Sequence, residues 1–161
     1  MKVKYFGEID PKDIEDYYDC QIEINGKSIE IDLNFQENSI EPERLNKINS
    51  LLEKIELKLS EAITLISQDF DLGDESETAR DYLSHHLEVL EEKDILSLFG
   101  TKNVTRELFI SKLVAKRAGL YPEDEEAFAI VDVTFEGHVS NYLMAVTFDE
   151  NFELSYISME S

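Results

Sequence analysis

Strands, then helices, then strands: that order of elements predicts an α+β fold for this chain, and three observations carry it. An Asn-Gly pair at 25–26 separates two short alternating apolar runs. Apolar residues at spacings of three and four fill the stretch 42–70. Four strand-like runs with short connections follow from residue 113 onward. The expected architecture is a single domain over residues 1–161. It is an antiparallel sheet, made of an N-terminal hairpin and a C-terminal meander, with the central helices packed on one face.

Residues 2–6 read as a short strand, broken by Asp10-Pro11, and residues 12–17 as one helical turn. The hairpin follows. Gln21-Ile22-Glu23-Ile24 alternates, Asn25-Gly26 turns the chain, and Ile29-Glu30-Ile31-Asp32-Leu33 alternates again. A type I′ turn needs φ > 0 at both central residues, which is why Asn-Gly signals a hairpin. Ile22, Ile24, Ile29, Ile31 and Leu33 then share a buried face, and Glu23, Glu30 and Asp32 face water.

Pro42 opens the long helical pattern, as proline does at a first helical position. Leu45, Ile48, Leu52, Ile55, Leu59, Ala62, Ile66 and Phe70 form one stripe. A single helix over 42–70 would run roughly 43 Å, so it either spans the domain or breaks near 57–60. Gly73 ends the segment. Residues 76–91 are a second amphipathic helix, with Ala79, Leu83, His86, Leu87 and Leu90 inward. Asp94 is placed to cap a short helix ending at Gly100. Thr105 is placed to cap another, with Val104 and Phe109 as its hydrophobic staple. Strands are expected over 113–121, 127–135, 141–148 and 153–158, and their short connections make a meander.

The chain carries 36 Asp and Glu against 15 Lys and Arg, a net charge of −21. The charge is spread along the chain rather than held in a tail. Nucleic-acid backbones and anionic membranes repel such a surface, and cationic partners are attracted to it. The hydrophobic fraction of 42% supports a packed core. Cys20 is the only cysteine, so no intramolecular disulfide forms and a reducing compartment suits the chain. Its flanks, Asp19 and Glu23, have the wrong sign to activate a thiol. Neither a signal peptide nor a membrane span is read from the sequence.

Candidate chemistry is sparse. Asp81, His85 and Glu88 share one helical flank and would need a second helix to hold a metal. His86 sits in the apolar stripe instead. Asp69-Phe70-Asp71-Leu72-Gly73-Asp74 departs from a calcium loop, because its glycine falls one position early and Arg80 stands where the bidentate Glu belongs. Lys102, Arg106, Lys112, Lys116 and Arg117 hold one third of the basic residues and read as internal counter-charge. The run Glu123, Asp124, Glu125 and Glu126 after Tyr121-Pro122 is the candidate binding loop, able to receive Lys or Arg beside an aromatic anchor. No catalytic residue, metal ligand or cofactor site is assigned.

The opening Met1-Lys2-Val3-Lys4-Tyr5-Phe6-Gly7-Glu8-Ile9, the segment Gly119-Leu120-Tyr121-Pro122-Glu123-Asp124-Glu125, and the ends Asn141-Tyr142-Leu143 and Ser158-Met159-Glu160-Ser161 resemble a small acidic bacterial family catalogued only as a domain of unknown function. The resemblance covers nearly the whole chain. It implies a cytoplasmic bacterial protein and brings no functional residues with it. In size, charge and architecture the chain is also similar to toxin-immunity proteins.

Three classes of function stay open at this level. The leading one is a non-enzymatic acidic module, of the immunity-inhibitor kind, for a cationic protein partner, steered by its acids and anchored by Tyr17, Tyr18 or Tyr121. The second is a metal-dependent hydrolase using Asp81, His85 and neighbouring carboxylates. The third is a DNA mimic. The sequence does not specify an oligomeric state.

Overall fold

A computed structural model describes residues 1–161. The strands are β1 (Lys2–Val3), β2 (Gly7–Glu8), β3 (Tyr17–Ile24), β4 (Lys27–Asn34), β5 (Leu113–Leu120), β6 (Ala129–Phe135), β7 (Leu143–Phe148) and β8 (Leu154–Glu160). The helices are α1 (Pro42–Glu53), α2 (Ile55–Asp71), α3 (Ala79–Val89), α4 (Glu92–Phe99) and α5 (Arg106–Ser111). The fold is α+β. A six-stranded sheet runs in the order β3-β4-β5-β6-β7-β8, beside a two-stranded ribbon of β1 and β2.

The expected hairpin forms around Asn25 and Gly26, whose φ values of 52° and 77° are those the two-residue turn demands. The meander of β5 to β8 is antiparallel throughout. One pair departs from the antiparallel expectation, because β4 runs parallel to β5. A parallel neighbour needs a long crossover. Here that crossover is the whole helical segment, so hairpin and meander fuse into one mixed sheet.

The long stripe splits into two helices. The break falls at Lys54, with φ −109° and ψ 14°, three residues before the expected zone. The Lys54 N–H donates to the Leu51 carbonyl, which tightens the last turn of α1 before α2 starts. Leu45, Ile48, Leu52, Ile55, Leu59, Ala62 and Ile66 are all buried against the sheet despite the break. Residues 2–6 do not form one strand. They fold back through Tyr5, at φ 70°, into the ribbon, and the Asn49 side chain binds Lys4 N–H and Lys2 C=O to hold it on α1. Residues 12–17 form a turn that leads into β3 rather than a helical turn.

The other helices follow their sequence signals with shifted ends. Glu91 rather than Asp94 precedes α4, and Gly100 closes it at φ 73°. Thr105 Oγ accepts the Leu108 N–H at 3.2 Å, and Phe109 is fully buried. The start of α3 is capped from outside. The Asp69 carboxylate, at the end of α2, accepts from Ser76 Oγ and from the N–H groups of Glu77, Thr78 and Ala79. Burial alone would raise that carboxyl, but these four bonds outweigh it and hold it below the usual carboxylate range. The comparison with a calcium loop therefore ends in a structural cap.

Candidate functional site

Strand alternation sorts the sheet into two faces. Ile29, Ile31, Leu33, Ala118, Leu120, Val131, Val133, Met144 and Val146 point into the core under the helices. The opposite face carries no helix. Across it the register aligns Asp19, Asp32, Gly119 and Ile130 in one row, and Gln21, Glu30, Arg117, Asp132, Ala145 and Ser158 in the next. Glu23 and Glu160 extend the same face by two residues on their strands.

Arg117 organises the centre of this face. Its Nε and Nη2 donate to the two carboxylate oxygens of Asp32 at 2.6 and 2.8 Å, a bidentate pair. Its Nη1 donates to Asp132 at 3.1 Å and its Nη2 to the Tyr121 hydroxyl at 3.2 Å. Asn34 Nδ2 adds a bond to Asp32 at 2.5 Å. Gly119 makes room for the guanidinium, since a Cβ there would lie 2.6 Å from Arg117 Nη2 and 3.0 Å from the Tyr121 hydroxyl. The seat depends on a bulge. Lys116 and Arg117 together oppose Asp132, which re-aims Arg117 onto the open face and leaves Lys116 exposed.

Asp32 was expected to face water. It lies on the predicted face, but its side chain is 0% exposed because Arg117 covers it. Burial opposes the Arg117 charge, but the bonds to Asp32, Tyr121 and Asp132 outweigh that and raise the guanidinium above its ordinary value. Asp132 shows the reverse balance: burial outweighs the Arg117 bond and pushes its carboxyl up. The single Arg is thus consumed by two carboxylates. Asp19, Glu23, Glu30 and Glu160 remain on the face without a basic partner, and only Lys116 stands against them. Their field is felt by Tyr17, at the corner of the face and 48% exposed. Partial desolvation, then the carboxylates of Asp32, Asp19 and Glu30, push its phenol up. Burial and the same two aspartates push the Cys20 thiol up, which keeps it protonated and inert.

The predicted loop lies at one end of this face, and its acids are not equivalent. Tyr121 touches Arg117 through its hydroxyl and joins Glu123 and Asp124 around a recess of about 190 Å³. Glu123 accepts from the backbone N–H groups of Gln36 and Glu37, at 2.5 and 3.1 Å. Asp124 accepts from Glu126 and Ala127 N–H and closes its own turn. Glu125 meets Arg44 at 3.5 Å. Glu126 has no ion pair of its own and is the acid of the four most free to meet a partner. Tyr18 is half-buried, bonded to Glu15 N–H and edge-on to Phe35, so it braces the fold.

The basic cluster disperses. Lys102 pairs with Glu92, Arg106 with Asp71 and Arg117 with Asp32, so three of the five are counter-charges, as expected. No group of three or more His, Cys, Asp and Glu side chains converges to hold a metal, and Asp81, His85 and Glu88 do not gather into one. His85 stacks beside Tyr142. His86 is fully buried, its Nδ1–H donating to the Tyr82 carbonyl at 2.7 Å. Its Nε2 then accepts from the Ser140 hydroxyl at 2.6 Å. A serine bonded to histidine is half of a nucleophilic arrangement. Here a backbone carbonyl stands where an orienting carboxylate would be, and Ser140 Oγ also takes the Tyr142 N–H. The pair fastens the loop before β7 onto α3.

A cleft of about 790 Å³ lies on the helix side between the hairpin tip and α2, lined by Ile24, Ile29, Leu57, Leu59, Ile63 and Leu113 among others. Eight of its fourteen lining residues are apolar, and Lys27, Glu53, Lys54 and Glu56 stand among the rest. No helix is long and apolar enough to cross a membrane. Comparison with family models, with curated proteins and with solved structures yields no match to this chain.

The sequence did not reveal the Asp32–Arg117–Asp132 network. Asp32 and Arg117 stand 85 residues apart, and only the parallel β4–β5 pairing brings them together. The one legible signal was the hairpin alternation, which placed Glu23, Glu30 and Asp32 on a common face.

Proposed function

We propose that the protein is a non-enzymatic acidic binding module, of the immunity-inhibitor kind, whose helix-free sheet face docks a cationic protein. One observation carries this reading. Asp19, Glu23 and Glu30 stand on the adjacent strands β3 and β4 of that face and Glu160 stands on it at the far strand β8, while the face's central arginine is neutralised by Asp32 and Asp132 from within. Exposed acids of one sign steer a basic partner and accelerate its encounter. Tyr17, and Tyr156 at 50% exposed, flank the acids as aromatic anchors. Arg117 ties β4, β5 and β6 together on this face through Asp32 and Asp132.

The test is association kinetics with a cationic protein at two salt concentrations. For wild type the on-rate falls steeply as salt rises, because charges beyond about 8 Å are screened at physiological ionic strength. Neutralising Asp19, Glu23, Glu30 and Glu160 lowers the on-rate and removes most of that salt dependence. An on-rate unchanged in the variant would remove this face from the docking surface.

A further inference from the structure

The six-stranded sheet ends on one side in β3, and no strand pairs with its outer edge. The turn at Asn25-Gly26 is two residues long, so Ile24 and Lys27 flank it as a hydrogen-bonded pair. Counting back in twos, Ile22, Cys20 and Tyr18 bond to β4. Tyr17, Asp19, Gln21 and Glu23 therefore aim their N–H and C=O groups outward, and no bond from elsewhere in the chain reaches them.

Side chains alternate along the same edge. Tyr17, Asp19, Gln21 and Glu23 are exposed on the helix-free face. Tyr18, Cys20, Ile22 and Ile24 point to the core side and are only half covered. Glu30, paired with Gln21 on the neighbouring strand, adds charge of the same sign between Asp19 and Glu23. An edge with these properties selects its guest twice. Backbone pairing takes any extended segment, and the side-chain pattern takes one that is basic on one face and apolar on the other.

We infer that β3 receives an extended segment of a cationic protein as a seventh strand, with Lys or Arg at alternate positions over Asp19 and Glu23 and apolar side chains between them over Cys20, Ile22 and Ile24. The inference rests on the acidic-face reading above and specifies how the partner engages. A second copy of this chain brings acids rather than bases to the edge. An antiparallel copy centred on Gln21 sets Asp19 against the copy's Glu23, and directly opposed like charges destabilise a strand pair. The far edge, β8, lacks the pattern: it exposes Leu154 and Tyr156, and its Ser155 side chain is bonded to the Glu126 carbonyl.

The probe is a capped eight-residue peptide alternating lysine and valine. A peptide of the same composition in two blocks, and poly-lysine, are the comparisons. The alternating peptide binds and shifts the backbone amide resonances of residues 17–23, and the block peptide binds at least about tenfold more weakly. Gln21→Pro removes one outward N–H, which an edge strand tolerates, and weakens the alternating peptide by about tenfold with thermal unfolding unchanged. Should that variant lose stability, Asp19→Lys with Glu23→Lys keeps the backbone intact and switches preference to an alternating glutamate–valine peptide. If poly-lysine binds but the two peptides are equivalent, or Gln21→Pro binds as wild type does, the added strand is overturned and the acidic face stands. If none of the three binds, both are overturned.

Discussion

Replacing Arg117 with Met removes the charge at the centre of the sheet face while keeping most of the side-chain volume. Four hydrogen bonds are lost: two to Asp32, at 2.6 and 2.8 Å, and one each to Asp132 and Tyr121, at 3.1 and 3.2 Å. The losses are unequal. Asp132 keeps 15% of its side chain exposed and can recruit water, whereas Asp32 has none exposed. The cost is therefore set by one buried carboxylate left with only the Asn34 amide. Removing one partner of a buried ion pair costs about 3–5 kcal/mol. Removing the other partner as well, with Asp32→Leu in the Arg117→Met background, recovers about 1–4 kcal/mol, because the fully buried carboxylate is then gone. Gly119→Ala is the graded version. Its Cβ meets Arg117 Nη2 at 2.6 Å and displaces one arm of the guanidinium, for about 1–3 kcal/mol. Urea unfolding at pH 7 reads all of these, provided the slope m is unchanged between variants. An Arg117→Met protein within about 1 kcal/mol of wild type, or a double variant no better than the single, would refute this account of the buried pair.

Four further outcomes are expected. Leu52→Ala, at a fully buried position of the α1 stripe, costs about 2–5 kcal/mol in the same unfolding assay. Gly26→Val costs about 1–2 kcal/mol, because a β-branched side chain must adopt φ 77°, and a variant of wild-type stability would contradict the turn. His86 is buried neutral, with burial holding its pKa below the ordinary 6.5. Its contribution to stability is full above that value and is lost as pH falls below it, since the unfolded state then takes up the proton first. Wild type accordingly loses stability more steeply than His86→Gln as pH falls below 6.5, and equal slopes would contradict the buried neutral ring. In the acidic loop, Glu123→Ala destabilises by about 0.5–1.5 kcal/mol, because the exposed Gln36 and Glu37 N–H groups exchange their carboxylate for water, while Glu126→Gln leaves stability unchanged.

The elements legible in the sequence were those with a local physical cause. Asn25-Gly26 specified its turn because both residues must sit at positive φ. Thr105 specified its helix start because its hydroxyl can bond three residues ahead. The apolar stripe of α1 and α2 was readable from spacing. The break at Lys54 was not, since neither Pro nor Gly marks it. The parallel β4–β5 pairing left no local trace either. It follows from where five helices return the chain, and the buried Asp32–Arg117 pair exists only because of it. The Tyr121 to Glu126 loop was conspicuous as a charge run, yet three of its four acids bond within the protein. The acids that stay unpaired, Asp19, Glu23, Glu30 and Glu160, are scattered along the sequence and become one surface only when the strands align.

That surface is the central claim. Its most direct measurement is affinity capture from host lysate on immobilised wild type and on a variant with Asp19→Lys, Glu30→Lys and Glu160→Lys, each eluted across a salt gradient. The account predicts a basic protein that is held at low salt, released as salt rises and absent from the variant. A partner held equally by both, or one whose release does not depend on salt, would contradict it.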